Sequence, residues 1–332
     1  MLSSWHSLCL RNGHIVQSCS GRHFARSVVA RREKRNAAFS KEKERQRKLI
    51  ARIEKIKVRC NTPLETVELV MNKYLSSPFD CALHINGSIV EFAALASVNG
   101  RPWDMRRPLT EDCELSFQYF TDPEPFSVNR AYWRSCSFML GALIETSFKP
   151  HHDVQLHSWP KIDYHSGCFI YDAQLSIPDW KPTQEELRIL SRLSAKKLRE
   201  QEFPFERLEV EPEVAKEIFA DCPFKLEQIP SILESANQRG EKIAVYRMGD
   251  HVDISSGPMV SHSGQLGYYA ITCVTPLKTD FSQLIRFQGV SVPFTQRINS
   301  WTWEVICNAA TKPTYRCIPV RSKDSSRQIH AS

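Results

Sequence analysis

The sequence lacks any uninterrupted apolar stretch approaching the ~18 residues that a membrane-spanning helix needs, its richest piece being the short run from Phe138 to Ile144. A span of that kind is therefore not expected. The 11 cysteines are never closer together than ten residues, so there is no C-x-x-C pair to grip zinc or to exchange thiols. Scattered in this way they read as free thiols of a reducing compartment, packing as small hydrophobes. A G-x-x-x-x-G-K-(S/T) loop is missing, which removes P-loop nucleotide hydrolysis, and neither an internal repeat nor a low-complexity tract occurs. Acidic residues are absent from the first 32 positions.

What is present suits a folded chain. Hydrophobic residues make up 42% and charged residues 24% of 332 positions, enough for two domains of ordinary size plus appendages. The net charge of +7 hides an uneven distribution. Between Met1 and Arg59 stand 16 Lys and Arg against Glu33, Glu42, Glu44 and Glu54, whereas the rest holds 28 basic and 33 acidic residues. A basic arm thus precedes a mildly acidic body. The end turns basic again, with Lys312, Arg316, Arg321, Lys323 and Arg327 against Asp324. Basic extensions on a near-neutral core are commonly placed to reach phosphate.

The acid-free opening carries five arginines and six serines among scattered apolar residues, the composition of a mitochondrial presequence. Residues 1–30 are read as that presequence and residues 31–57 as a basic helical arm. A helix is expected over Ala37 to Val58, with an apolar stripe at Leu49, Ile53 and Ile56 and a Glu44/Lys48 pair at i, i+4. Because cations outnumber acids about threefold there, the helix is expected to be mostly solvated or to lie on a polyanion. The candidate RNA-contacting residues are Arg35, Lys41, Lys43, Arg45, Arg47, Lys48, Arg52, Lys55, Lys57 and Arg59.

Residues 58–121 suggest a small sheet crossed by one helix. The helix is placed on Leu64 to Leu75, and strands on Cys81 to Ile85 and Ser88 to Phe92 around an Asn86-Gly87 turn. A second turn falls at Asn99-Gly100, and Leu115 to Phe120 alternates as a strand. Asp122 to Asn129, with Pro123 and Pro125, reads as a linker. Residues 122–311 follow as an α+β unit with a largely antiparallel sheet. Its helices are expected at Arg130 to Phe148, from Thr183 behind a T-x-x-E capping box, and at Glu213 to Ala220. Its strands are expected at Gly167 to Leu175, Lys242 to Met248, His251 to Ile254 and Gly267 to Val274. Residues 312–332 form the basic tail.

Two resemblances refine this reading. The runs ASVNGRPWDM from Ala96 and RPLTEDCEL from Arg107 resemble a TGS domain, the small β-grasp module found at the front of threonyl-tRNA synthetases and in some GTPases. That likeness implies an RNA-associated accessory domain without catalysis. Most of Tyr132 to Pro293 resembles the editing domain of threonyl-tRNA synthetases, which hydrolyses mischarged tRNA. The matching runs are SCSFMLGALI from Ser135, GCFIYD from Gly167, AKEIFADCPFKLE from Ala215 and GDHVDISSGPM from Gly249.

The editing site of that family needs H-x-x-x-H on the first helix and C-x-x-x-H late in the domain. Residues four apart share a helix face, so two imidazoles can converge on a metal or an ester. Here the four positions are Phe138, Ala142, Ser255 and Met259. Phe and Ala offer no lone pair, a neutral Ser is a poor zinc ligand and a thioether is too soft. No catalytic residue, metal, cofactor or small-molecule substrate is therefore expected. The His151, His152, His157 and His165 cluster, with His251 and His262, reads as ordinary polar residues rather than a rebuilt metal site, and Cys168 beside His165 as a buried thiol. No aminoacylation domain follows in this sequence, and that activity is not expected either.

With AYWRSC from Ala131 and RFQGVSVP from Arg286, the combination resembles a family of mitochondrial large-subunit ribosomal proteins. The resemblance implies a non-enzymatic structural component of the mitochondrial matrix, with large-subunit rRNA and neighbouring ribosomal proteins as partners. A free-standing deacylase of mischarged tRNA, or a tRNA-binding regulator outside the ribosome, are the alternatives.

Overall fold

The structure, a computed structural model, describes residues 20–149, 152–159, 167–177, 180–278 and 283–314. A long helix, α1 (Ser20–Lys48), comes first. Then follow β1 (Lys55–Asn61), β2 (Thr66–Asn72), α2 (Pro78–Ile85), α3 (Gly87–Phe92), β3 (Leu95–Val98), β4 (Arg101–Trp103) and β5 (Cys113–Gln118). Their strands lie in the order β2-β1-β5-β3-β4, with β1 and β5 parallel and the other pairs antiparallel. This is a β-grasp sheet. Strand β1 alternates exposed and buried residues, and Ile56, Val58 and Cys60 point into a core shared with Cys81, Leu109 and Leu115.

Three local expectations are corrected here. Leu64 to Leu75 is a strand where it is regular, since Val67, Leu69 and Met71 alternate inward along β2 and pair with β1. The segments flanking Asn86-Gly87 are helices. Ser77 caps α2 in a capping box with Asp80 ahead of Pro78, and the Asn86 side chain accepts from Ser88 N to cap α3. The Asn99-Gly100 turn is present between β3 and β4, both residues at positive φ (49° and 77°) as such a hairpin demands.

The second unit runs α4 (Phe126–Ser147), β6 (Val154–Ser158), β7 (Phe169–Leu175), α5 (Gln184–Ser194), β8 (Glu206–Val210), α6 (Pro212–Ile218), α7 (Pro223–Asn237), β9 (Ile243–Met248), β10 (His251–Ile254), β11 (Tyr268–Lys278), β12 (Gln283–Val292) and α8 (Ser300–Ala309). Helix α5 starts behind the expected Thr183/Glu186 capping box. Two antiparallel sheets form, β11-β12-β7-β6 and β10-β9-β8. Helix α4 is buried from Ser135 to Glu145 in the core between them. Gly141 allows this close approach, because a Cβ there would stand 2.7 Å from the Tyr171 ring on β7.

Strand β9 divides the interior by its alternation. Ala244, Tyr246 and Met248 join the core around α4, whereas Ile243 and Val245 face a second core closed by α6, α7 and, unexpectedly, α1. Phe39 of α1 is completely buried there, and burying a side chain of that size is worth ~1.5 to 3 kcal/mol. The basic helix is thus a docked element of the body. It stops at Lys48, so Lys55, Lys57 and Arg59 lie on β1 instead of on a helix.

The two units are fastened along a polar seam. Asp104, after β4, accepts at Oδ1 from both Tyr246 Oη and Met259 N, each at 2.8 Å. Gln265 donates to the Ala93 carbonyl at 2.9 Å, and Phe92 stacks on Phe294 with centroids 6.0 Å apart.

Candidate functional site

The four positions that the resemblance aligns with editing ligands, Phe138, Ala142, Ser255 and Met259, are buried. Phe138, on α4, has no exposed surface, and its ring meets His251 at 4.9 Å, Phe205 at 5.8 Å, Trp159 at 6.0 Å and Tyr246 at 6.4 Å between centroids. Ala142, one turn on, is buried in the same apolar cluster, as is Met259. The Met259 thioether receives the Ser135 hydroxyl at 3.5 Å, and its amide is spent on Asp104. Ser255 accepts from Gly257 N at 3.2 Å. Three of the four positions are therefore core packing, and the fourth shapes the turn into cis-Pro258. Among the described residues no group of three or more His, Cys, Asp and Glu could hold a metal ion, and no helix is long and apolar enough to cross a membrane.

Beside Phe138 lies a buried polar knot. Glu145 of α4 accepts from His251 Nδ1 at 2.8 Å and from Arg35 of α1 at 2.7 Å, and Arg35 also reaches Asp221 at 3.2 Å. Burial alone would push the Glu145 carboxyl up, but the Arg35 charge and the His251 hydrogen bond override it and hold the group down to about 2. Lys225 and Asp253 form a second buried pair at 2.6 Å under Tyr171, whose hydroxyl donates to the same carboxylate. His157 is held down to about 4 by burial and by the Lys225 charge. His262 is half-buried near Gly264, and His151 and His165 lie outside the described residues.

The ten basic candidates divide into four groups. Arg35 faces inward and belongs to the Glu145 knot, so its expected place on phosphate is corrected to an internal ion pair. Lys41, Lys43, Arg45, Lys48 and Arg59 are exposed but each stands near an acid of this chain: Glu217, Glu206, Glu42, Glu44 and Glu114. Lys55 donates to Asn72. Arg47, Arg52 and Lys57 are exposed and have no ion-pair partner among the described residues. The acidic body thus supplies much of the counter-charge of its own basic helix, with Arg31 on Asp153 and Arg32 on Asp250 completing the series. The presequence reading lies largely on residues 1–19, outside the described residues, and Ser20 already opens α1. Of the basic tail, only Lys312 to Thr314 is described.

A β-grasp module joined to an editing-like unit defines a relative of the threonyl-tRNA synthetase front end. The comparisons agree. A family model, the TGS domain, matches residues 65–117. The mitochondrial threonine–tRNA ligase of Homo sapiens is 30% identical over 68% of this chain, but only 30% of that ligase is covered. The ligase of Thermotoga maritima is 31% identical over 54% of this chain and 26% of its own length. The large ribosomal subunit protein mL39 of Drosophila melanogaster is 40% identical over 90% of both chains. The chain belongs to the mL39 family, a family of ribosomal proteins, and it is not an enzyme.

Proposed function

We propose that the chain is a structural component of the large subunit of the mitochondrial ribosome, working in the matrix and binding large-subunit rRNA and neighbouring ribosomal proteins. The observation that carries this reading is the burial of Phe138 and Met259 at positions that the resemblance aligns with editing ligands, in a chain similar over 90% of its length to a ribosomal protein. Scaffold kept without its chemistry serves shape and contact. The arginine-rich, acid-free opening supports import and a cleaved presequence near residues 1–30.

Sequence-independent RNA affinity comes from phosphate neutralised by Lys and Arg. Of the basic candidates, Arg47, Arg52 and Lys57 are the best placed, because their charge is not met by an acid among the described residues. Reversing all three to Glu should flatten the slope of log affinity against log salt by about 2 to 2.7, at ~0.7 to 0.9 per contact.

Sedimentation of native mitochondrial extract tests the role itself. The chain should run with the large subunit and shift with it when the subunits are dissociated. A chain found only at the top of the gradient refutes the reading, and N-terminal sequencing of the sedimented protein locates the presequence cut.

A further inference from the structure

Where α1 and β2 end, the segments that follow them border a cavity of about 410 Å³. Leu49 to Arg52, after α1, form one wall, and Lys73 and Tyr74, after β2, form the other. The two walls are tied together: the Lys73 amide donates to the Glu54 carbonyl at 2.9 Å, and the Lys73 ammonium meets the Glu54 carboxylate at 3.0 Å. The volume lies within the ~300 to 1,000 Å³ of ordinary small-molecule sites.

Tyr74 is held in this wall at a cost. Its φ of 61° falls in the left-handed region that a bulky residue rarely occupies. Its amide donates to the Leu109 carbonyl at 2.8 Å, and Ser76 N donates back to the Asn72 carbonyl at 2.9 Å, so the turn is fixed on both sides. The ring joins neither neighbouring core. Half of the residue is exposed, and the Lys73 ammonium stands 5.2 Å from the ring centroid. A strained turn that delivers an aromatic ring to the surface, beside a Leu49 that is 68% exposed, serves contact with something outside the chain.

The charge beside the ring is positive. Glu54 and Lys73 answer one another, whereas Arg52 in the opposite wall and Arg47 in the last turn of α1 are exposed and meet no acid among the described residues. Arg47 is adjacent, because its carbonyl accepts from Ile50 N at 3.2 Å. Aliphatic walls alone would suit a protein side chain. Together with an exposed aromatic ring and two uncompensated guanidinium groups they suit a nucleotide, whose base offers a π-face to Tyr74 and whose phosphate is an anion for arginine. Single-stranded RNA presents both, whereas the bases of a duplex are stacked on one another.

We propose that this cavity receives an unpaired base of single-stranded RNA, stacked on Tyr74 with its phosphate on Arg52. The source of that RNA, the large-subunit rRNA, rests on the ribosomal reading above. Fluorescence anisotropy of the full chain with a short labelled single-stranded oligoribonucleotide, at several KCl concentrations, separates the two contacts. Tyr74→Gly removes the ring and suits the positive φ. It should weaken binding by about five- to 150-fold, the worth of one stacked base, with the salt slope unchanged. Tyr74→Trp should keep the affinity. Arg52→Gln should flatten the slope by about 0.7, as for one single-strand phosphate contact. A sugar-phosphate chain of the same length without bases should bind the parent and Tyr74→Gly alike.

Should Tyr74→Gly unfold, as judged by circular dichroism, Tyr74→Asn replaces it with the same expectations. Equal affinity of the folded variant and the parent overturns the proposal, as does a loss that the base-free chain shows equally. A parent chain that binds no RNA overturns it too, and if Tyr74→Gly then no longer sediments with the large subunit, the cavity belongs to a protein neighbour instead. Failure of the ribosomal reading is read separately, in the gradient of the parent chain, and does not alter the anisotropy result.

Discussion

The Arg35 guanidinium lies 2.7 Å from the Glu145 carboxylate, and both groups are almost wholly removed from solvent although 110 positions separate them. One comes from the basic helix α1 and the other from α4, the buried helix of the second unit. Together with His251 they fix α1 against the body. Arg35→Ala leaves a buried carboxylate without its cation, and loss of one partner of such a pair costs about 3 to 5 kcal/mol. Urea unfolding of the full chain should show that loss. Arg47→Ala, on the exposed side of the same helix, should change stability by less than about 0.5 kcal/mol.

Phe138→Ala should cost a further ~3 to 5 kcal/mol, because four aromatic or imidazole rings lose their common neighbour and a cavity remains. The parent chain should bind no stoichiometric zinc and should not deacylate seryl-tRNA. Metal analysis beside a deacylation assay decides this, and turnover that a chelator abolishes contradicts the silent-site reading.

Acid should weaken the fold in two stages. His157 is held at about 4 in the folded chain against an ordinary 6.5, so as pH falls from 6.5 to 4 the unfolded chain takes up its proton first and stability is lost, on the order of 3 kcal/mol. Glu145, at about 2 against 4.5, adds a second loss between pH 4.5 and 2 by the same sign. Urea midpoints across this range should fall in both windows. A His157→Phe variant should show a smaller first decline, the rest coming from His262, which burial also holds down, and should keep the second.

Gly257→Ala is expected to be severe for its size. The residue sits at φ +62°, and a Cβ would stand 1.9 Å from Tyr246 Oη, displacing the hydroxyl that donates to Asp104. A loss of about 2 kcal/mol or more follows from the strain and the broken buried bond. Calorimetry of the full chain checks it, with Gly87→Ala, which meets nothing within 4 Å, as the mild comparison.

Local chemistry explains which elements were legible. Thr183 with Glu186, and Asn99 with Gly100, act within a few residues, and both appear where the sequence places them. Leu64 to Leu75 carries apolar residues that suit a helix as well as a strand, and only pairing with β1 selects between them. Asn86-Gly87 has the composition of a hairpin turn, yet Pro78 behind Ser77 already marked a helix start. The docking of α1 had one local signal, a solitary Phe39 amid charge.

For the site, the replaced ligands could be located only through resemblance, since Phe138, Ala142 and Met259 look like any core. The cleft at the seam between the two units, lined by Arg107, Arg130, Arg134, Arg207 and Arg239, could not be read at all. Its members come from distant segments and meet through the seam, not through any spacing along the chain.

The docking of α1 also dictates an order of events. Its partners lie between 110 residues downstream, at Glu145, and 218 residues downstream, at Asp250. A helix that leaves the ribosome first can therefore settle last, after the strands carrying those acids have been made and paired. Contacts closed over such distances form slowly. Until they do, Arg31, Arg32 and Arg35 have no internal counter-ion, and the unfinished chain presents a stronger polycation than the finished one.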